Sequence, residues 1–226
     1  DNVMNGAPAP VTDEPFSGTI DDVVRSGAAS RVNTYTPSYQ SQSVVESLPN
    51  GGYVVVWRSQ DQDGGGYGTY GQVYGADGSP VGSEFHANQT TIADRGSIAV
   101  LADGSFLVSW VSEEASQSGF GLYVRHYDAA GQSLGGEVKV STTDIPTSNP
   151  SNIPSITALP DGGFVATWVA QSSSGSDFGV FAQRYASDGT AVGATAEISS
   201  TSGTDIRQIT SGELSDGGYV LSWTNL

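Results

Sequence analysis

Four tryptophans, Trp57, Trp110, Trp168 and Trp223, each close a near-copy of one phrase: NGGYVVVW, DGSFLVSW, DGGFVATW and DGGYVLSW. Successive copies lie 53, 58 and 55 residues apart. One such turn-and-strand unit cannot bury both of its faces alone. A repeat of this period therefore predicts a ring or array of stacked units.

Three repeats are complete, and each parses into four short strands, A to D from inside to outside. Strand A reads SVVESL, SIAVL or SITAL. A two-residue turn follows at Asn50-Gly51, Asp103-Gly104, Asp161-Gly162 and Asp216-Gly217, residue pairs that tolerate positive φ and close hairpins. Strand B is the tryptophan phrase. Its alternation puts Phe164, Ala166 and Trp168 on one face and Val165 and Thr167 on the other, so both faces are covered. Strand C carries Tyr70-x-Gln72-x-Tyr74, Tyr123-x-Arg125-x-Tyr127 and Phe181-x-Gln183-x-Tyr185. A second glycine turn leads to strand D, around Phe85-His86-Ala87, Val138-Lys139-Val140 and Ala196-Glu197-Ile198.

The fourth repeat stops after Trp223, and the missing half stands at the other end of the chain. Phe16 to Ile20 matches the phrases at Phe120 and Phe178, Ile20–Val24 reads as a strand C, and Arg31-Val32-Asn33 matches the end of strand D. The fold expected is all-β: a four-bladed β-propeller of four-stranded antiparallel blades, its last blade closed by N-terminal strands, which hides the edges of an open sheet. Residues 1–15 read as an arm or linker and 16–226 as a single domain. The rival is a larger ring built from two chains or a longer parent protein.

Composition narrows the partners. Twenty-four acidic residues stand against eight Lys and Arg, giving a net charge of −16. That balance argues against nucleic acid, whose phosphates need cations. No apolar run approaches the ~18 residues of a membrane span, so no membrane insertion is expected. Zero cysteine in an acidic, glycine-rich repeat fits a bacterial exported protein, secreted or at the cell surface.

The phrases LPDGGFVATW, YGQVYGADGSPVGSEF and FGVFAQRYASDGTAVG resemble tandem repeats of large bacterial exported haemolysin-type (RTX-associated) calcium-binding proteins and adhesins, from Phe16 to Trp223. The resemblance implies an extracellular multidomain setting. The nine-residue calcium repeat of those proteins is absent here.

Candidate chemistry gathers where loops are long. The B–C and D–A loops share one end of a propeller, and binding residues collect on such loops. Asp61 and Asp63 in Asp61-Gln62-Asp63-Gly64 are candidate ligands for Ca²⁺, a hard cation that seeks oxygen; a solvated acidic loop is the bland alternative. Candidate ligand-binding residues are Arg58, Tyr67, Arg95, Phe120, Asn152, Phe178 and Arg207. Tyr67, Phe120, Phe178 and Phe16 share one repeat position, where they either stack on sugars or anchor strand C. His86 and His126 read as solvent-facing strand residues beside no repeat-breaking cluster. The short A–B and C–D turns read as structural.

These features lead to a non-enzymatic binding or adhesion module for a glycan or cell-surface protein, where similar weak sites would add avidity; an oligomer is compatible with it. One alternative is a polysaccharide-cleaving enzyme using Tyr, His and carboxylates, whose site should break the repeat at one place; the most asymmetric features are the acidic Asp61–Gly66 loop and the long Ser141–Pro154 loop. Another is a spacer within a large adhesin.

Overall fold

The computed structural model describes residues 30–89, 93–113, 120–145, 154–172, 178–201, 206–214 and 216–225. Fourteen strands form four antiparallel sheets of four, four, four and two strands. The first sheet holds β1 (Gln40–Ser47), β2 (Tyr53–Gln60), β3 (Tyr67–Tyr74) and β4 (Pro80–His86) in that order. The second holds β5 (Ala93–Val100), β6 (Phe106–Glu113), β7 (Phe120–Tyr127) and β8 (Val138–Lys139). The third holds β9 (Ser155–Ala158), β10 (Phe164–Gln171), β11 (Phe178–Tyr185) and β12 (Ala191–Thr201), and the fourth only β13 (Ile206–Glu213) and β14 (Tyr219–Asn225). Among the described residues no sheet closes on itself. The expected strand C at Ile20–Val24 and the arm at 1–15 lie outside the described residues.

The hairpins explain why the repeat carries glycine. Gly51, Gly104, Gly162 and Gly217 all have φ between +82° and +86°. The expectation of two-residue turns needs correction. In each hairpin a leucine carbonyl (Leu48, Leu101, Leu159 or Leu214) accepts from that glycine N–H, and the leucine N–H donates to the carbonyl beyond it. This is the longer loop in which a turn ends in a left-handed glycine and a bulge. The side chain of Asn50, Asp103, Asp161 or Asp216 caps it by accepting the N–H two residues on.

The second strands of the three four-stranded sheets are buried on both faces, as their alternation predicts, whereas Tyr219 and Val220 of β14 are exposed. One face of the third sheet, with Phe164, Ala166 and Trp168, packs on Leu107, Leu122, Val124 and Val140 of the second. Its opposite face meets the fourth sheet through Val165 with Leu221 and Val169 with Ile206 and Trp223. Val54 and Val56 of the first sheet pack on Ile98, Val108 and Trp110 of the second. On the far side of the first sheet, Trp57, Tyr70 and Tyr74 pack with Val32. Trp57, Trp110 and Trp168 are wholly buried.

The innermost strands also pack in series, β1 on β5, β5 on β9 and β9 on β13. Their C-terminal ends line one cavity of about 330 Å³, with Leu48, Leu101, Leu159 and Glu213 each contributed by a different sheet.

A tyrosine tie joins neighbouring sheets. The Tyr185 hydroxyl donates to the carbonyl of Val140, at the outer edge of the preceding sheet. The Tyr74 hydroxyl donates in the same way to Val32 at 2.8 Å. In the second sheet the corresponding acceptor, Ala87, takes its bond from Arg125 Nη1 at 3.0 Å instead. Residues around Val32 thus stand to the first sheet as a preceding outer strand stands to the third.

Truncating Trp168 to Ala should cost about 3–5 kcal/mol in urea denaturation, the range for a fully buried large aromatic. Tyr74→Phe and Tyr185→Phe should each cost about 1 kcal/mol. An unchanged midpoint for Tyr74→Phe, with a lowered one for Tyr185→Phe, would show that the two ties are not equivalent.

Candidate functional site

Strand polarity places the hairpin turns at one end of the molecule and the longer loops at the other. At the long-loop end the first sheet departs from its sisters. The Gln60 N–H donates to the Tyr39 carbonyl, which ties the innermost strand to the β2–β3 loop. That loop folds on itself through Asp61 N–H to Gly66 carbonyl, and Asp63 Oδ1 accepts the Gly65 N–H at 2.9 Å. Three non-glycine residues among those described have positive φ: Ser38, Gln42 and Asp61. All three belong to this end of the first sheet. Such strain costs of order 1–3 kcal/mol each and gathers at functional sites.

Beneath the loop lies an aromatic, acid–base group. The Tyr70 and His86 rings are stacked, centroids 4.4 Å apart and planes within 4°. Asp63 Oδ2 lies 3.8 Å from His86 Nε2. Glu84 accepts from Gln62 Nε2 at 3.1 Å and from the Thr34 N–H. The Tyr35 hydroxyl donates to the Asp61 carbonyl. Gly68 makes room for the stack: a Cβ there would lie 2.7 Å from the Tyr70 ring and 2.9 Å from His86 Nε2. The Tyr70 hydroxyl is buried without a hydrogen-bond partner among the described residues, as are Gln40 Oε1, Trp57 Nε1 and Ser59 Oγ. Pairing across the strands puts Gln40 opposite Ser59 and Trp57 opposite Tyr70, and Ser59 and Trp57 are two apart, so these atoms share one face. In the third sheet the equivalent indole, Trp168, donates to Thr143 Oγ1 at 2.9 Å.

Electrostatics follow from burial. Desolvation pushes the Tyr70 phenol up to about 12, helped by the negative field of Asp63 and Glu84. It remains protonated at neutral pH. Burial also holds His86 below the usual imidazole range, outweighing the opposing pull of Asp63 and Asn88. The imidazole is therefore neutral at pH 7, next to a carboxylate that would stabilise its protonated form.

The expectation that His86 is a solvent-facing, variable strand residue is corrected here. It is half-buried, stacked on Tyr70 and set against Asp63 of the Asp61–Gly66 loop. His126 is also half-buried: its Nε2 lies 2.9 Å from Ser105 Oγ, whose hydroxyl donates to Asp103 at 2.6 Å. Arg184 makes the corresponding tie to Asp161 in the third sheet. The His126 cluster is thus a variant of a structural brace.

The other candidates separate. Arg58 sits over the Tyr67 ring, 3.6 Å from its centroid, beside the Asp61–Gly66 loop. Phe120 and Phe178 pack against buried clusters between sheets, where they anchor the third strand of each sheet. Arg95 lies in β5 and Arg207 in β13. Asn152 lies outside the described residues. Asp61 and Asp63 share the loop, but among the described residues no group of three or more His, Asp or Glu side chains gathers that could hold a metal ion.

No family model and no curated protein matches this chain. Several solved structures are similar to it. One is an endo-arabinase from Bacteroides thetaiotaomicron VPI-5482, at 13% identity over 89% of this chain and 73% of that one, with a TM-score of 0.48. Another is an endo-1,4-β-xylanase from the same organism, at 13% identity over 76% of this chain and 64% of that one, with a TM-score of 0.43. Both names are those of polysaccharide-cleaving enzymes. Those names stand with the enzymatic alternative and against the leading expectation of a non-enzymatic adhesion module, which is not carried further. No residue or reaction is carried from either neighbour to this chain.

Both histidines have folded-state values below their unfolded value of about 6.5. The unfolded chain then takes up protons first on acidification, so the stability tied to the neutral rings is present above about pH 6.5 and is lost as pH falls below it. Replacing both with Gln should flatten the dependence of the urea midpoint on pH between about 7 and 5. An equally steep loss in the double variant would place the acid sensitivity elsewhere.

Proposed function

We propose that the chain is a polysaccharide-cleaving protein whose acid–base group is Tyr70, His86 and Asp63. The observation that carries this reading is the Tyr70–His86 stack against Asp63, which occurs in one sheet of a repeated scaffold. The corresponding outer-strand residues in the second and third sheets are Lys139 and Glu197. A purely structural motif would have no reason to break symmetry at the one loop that also carries strain.

The chemistry suits a glycosidic bond. Neutral His86 takes a proton from the attacking water, and Asp63 stabilises the imidazolium that results. Protonated Tyr70 gives its proton to the departing glycosidic oxygen. The carbon–oxygen bond breaks as the new one to water forms, and proton exchange with solvent resets both residues. The covering Asp61–Gly66 loop moves aside to admit substrate, and Arg58 on Tyr67 offers a flat, polar-edged surface beside it for a sugar ring.

We infer further that the scaffold is a closed four-bladed propeller completed by the N-terminal segment. Supporting this are the Tyr74–Val32 tie that repeats Tyr185–Val140, the single cavity lined by all four inner strands, and a β14 whose Tyr219 and Val220 remain exposed.

Two experiments test these readings. Incubation with a panel of neutral polysaccharides, arabinan and xylan among them, should release reducing ends. His86→Ala and Tyr70→Phe should each lower that rate about 10²–10⁴-fold, the range for a positioned acid or base. Full activity in both variants would remove the assigned group, and no release from any polysaccharide would remove the enzymatic reading. For closure, the repeat register places Asp21 beside Ser222. The pair Asp21→Cys and Ser222→Cys should form an intramolecular disulfide on oxidation, in a chain that has no other cysteine. Only intermolecular disulfides would point to a ring shared between chains.

A further inference from the structure

The turn before each outer strand sets a common register for the outer half of the three four-stranded sheets. Its left-handed glycine is Gly78, Gly131 or Gly189, with φ between +79° and +83°. Counted from that glycine, Phe85, Val138 and Ala196 are equivalent, as are Val73, His126 and Arg184, and Val81, Leu134 and Val192. Neighbouring interfaces can therefore be compared residue by residue.

Between the first and second sheets an aromatic ring fills this region. Phe85 packs on Tyr127 and Phe106, with ring centroids 4.5 and 6.1 Å away. Its ring covers Gly71, where a Cβ would come within 2.4 Å of it, and Val73 and Val81 belong to the same cluster. Between the second and third sheets Val138 stands in place of Phe85, and Phe164 in place of Phe106. The placement is the same: a Cβ on Gly189 would lie 3.8 Å from Val138, as one on Gly131 would lie 3.4 Å from Phe85. Val124 replaces Gly71 and restores only part of the lost volume. A cavity of about 300 Å³ remains, walled by Leu107, Val124, Val138 and Phe164. Pockets that take small molecules begin at about this size, ~300–1,000 Å³.

The rim of this cavity is loosely held. Gln72 Nε2 donates to the Val81 carbonyl at 3.0 Å, and Gln183 Nε2 to the Val192 carbonyl at 3.1 Å, bracing the outer strands of the first and third sheets. The second sheet has Arg125 at that place, and its guanidinium reaches the Ala87 carbonyl instead. Its outer strand β8 is two residues long, against seven in β4 and eleven in β12. Leu134 is left 57% exposed, whereas its equivalent Val81 is partly buried. A Cβ on Gly135 or Gly136 would meet nothing within 4 Å, so the entrance is open.

One wall is polar. His126 lines the cavity where the first interface has Val73. Its hydrogen bonds fix the tautomer. The side chain and backbone of Ser105 hold the Asp103 carboxyl below its ordinary range, so Asp103 only accepts. The Ser105 hydroxyl donates to it at 2.6 Å and must then accept from His126 Nε2, 2.9 Å away. Burial keeps the imidazole neutral at pH 7, which leaves a lone pair on Nδ1. Ser187 and Asp188 complete the polar edge.

We propose that the cavity between the second and third sheets binds a single small phenol. The ring takes the space that Phe85 fills in the sister interface, and the hydroxyl donates to His126 Nδ1. Apolar cavities of this kind stay dry and accept aromatic molecules. The site lies at the hairpin end, away from Tyr70 and His86, and stands whether or not the chain cleaves a polysaccharide.

Titration calorimetry with 4-methylphenol, toluene and 4-methylcyclohexanol tests it. The phenol should bind with one site per chain, and about fivefold or more tighter than toluene, the worth of one hydrogen bond. 4-Methylcyclohexanol, which keeps the hydroxyl but lacks the flat ring, should bind more weakly than the phenol. His126→Val, which installs the residue of the sister position, should bring the phenol down to the level of toluene. Val138→Phe should abolish binding of both while leaving the melting temperature at or above that of the parent. The pair Val124→Gly and Val138→Phe rebuilds the filled interface and serves where the single variant is overpacked. No saturable binding of the phenol to the parent overturns the proposal. Undiminished binding in a folded Val138→Phe or paired variant overturns the location. Equal affinity for phenol and toluene, unchanged in His126→Val, overturns the role of the hydroxyl, and equal affinity for 4-methylcyclohexanol overturns that of the ring.

Discussion

A sheet buried on both faces is the constraint on which the molecule depends. The second strand of each complete sheet carries apolar residues in both phases of its alternation, so it cannot rest with one face in water. Trp168 fills the space towards the second sheet and Val165 the space towards the fourth. Each sheet is thus both knob and socket. Such packing favours serial stacking of equal units. The Tyr185 tie adds direction, because its hydroxyl reaches back to the outer edge of the preceding sheet. The carbonyl of Val32 takes the place that the carbonyl of Val140 holds one unit pair later.

Equivalence makes departures informative. Four hairpins with the same left-handed glycine and the same capping side chain carry little functional meaning beyond stability. The first sheet differs at its other end, where an extra acidic loop, a histidine on the fourth strand and two aromatic rings meet. Its strain and its unpartnered buried atoms are concentrated there too. Gln40 Oε1, Trp57 Nε1, Ser59 Oγ and Tyr70 OH lie on one face of one sheet. Folding tolerates this because the neighbouring sheets are nearly regular, and a repeat protein sums its interfaces.

The sequence made the architecture legible because each level of it repeats. Turn residues, the two-phase burial of strand B and the C–D glycine turn can all be read from spacing, and the observed strand order follows them. Less could be read where geometry depends on backbone atoms. The hairpins are longer than the Asn-Gly and Asp-Gly pairs suggest, since the leucine N–H and carbonyl that close them have no side-chain signature. The acceptors of Tyr74 and Tyr185 are carbonyls, and their positions across the fold leave no local trace. His86 was obscured for another reason. Its strand position is occupied by Lys139 and Glu197 in sister units, which marks a surface, and only the stack on Tyr70 beneath the Asp61–Gly66 loop turns it inward. The signal present in the sequence was the coincidence of that histidine with the one acidic, repeat-breaking loop of the same unit.

The separation of scaffold from site has a thermodynamic logic. A lone buried hydroxyl or indole N–H without a partner costs about 1–3 kcal/mol, comparable to a sizeable part of the stability of a whole domain. Several such groups spread through every unit would threaten the fold. Gathered mostly in the first sheet, with Trp110 Nε1, Arg125 Nε and Tyr127 OH in the second, and offset by three fully buried tryptophans, they are tolerable. The acidic loop carries bonds of its own: the Asp61 N–H donates to the Gly66 carbonyl, and the Gly65 N–H donates to Asp63 Oδ1. A loop that closes on itself can lift from Tyr70 and His86 without dismantling the sheet below it.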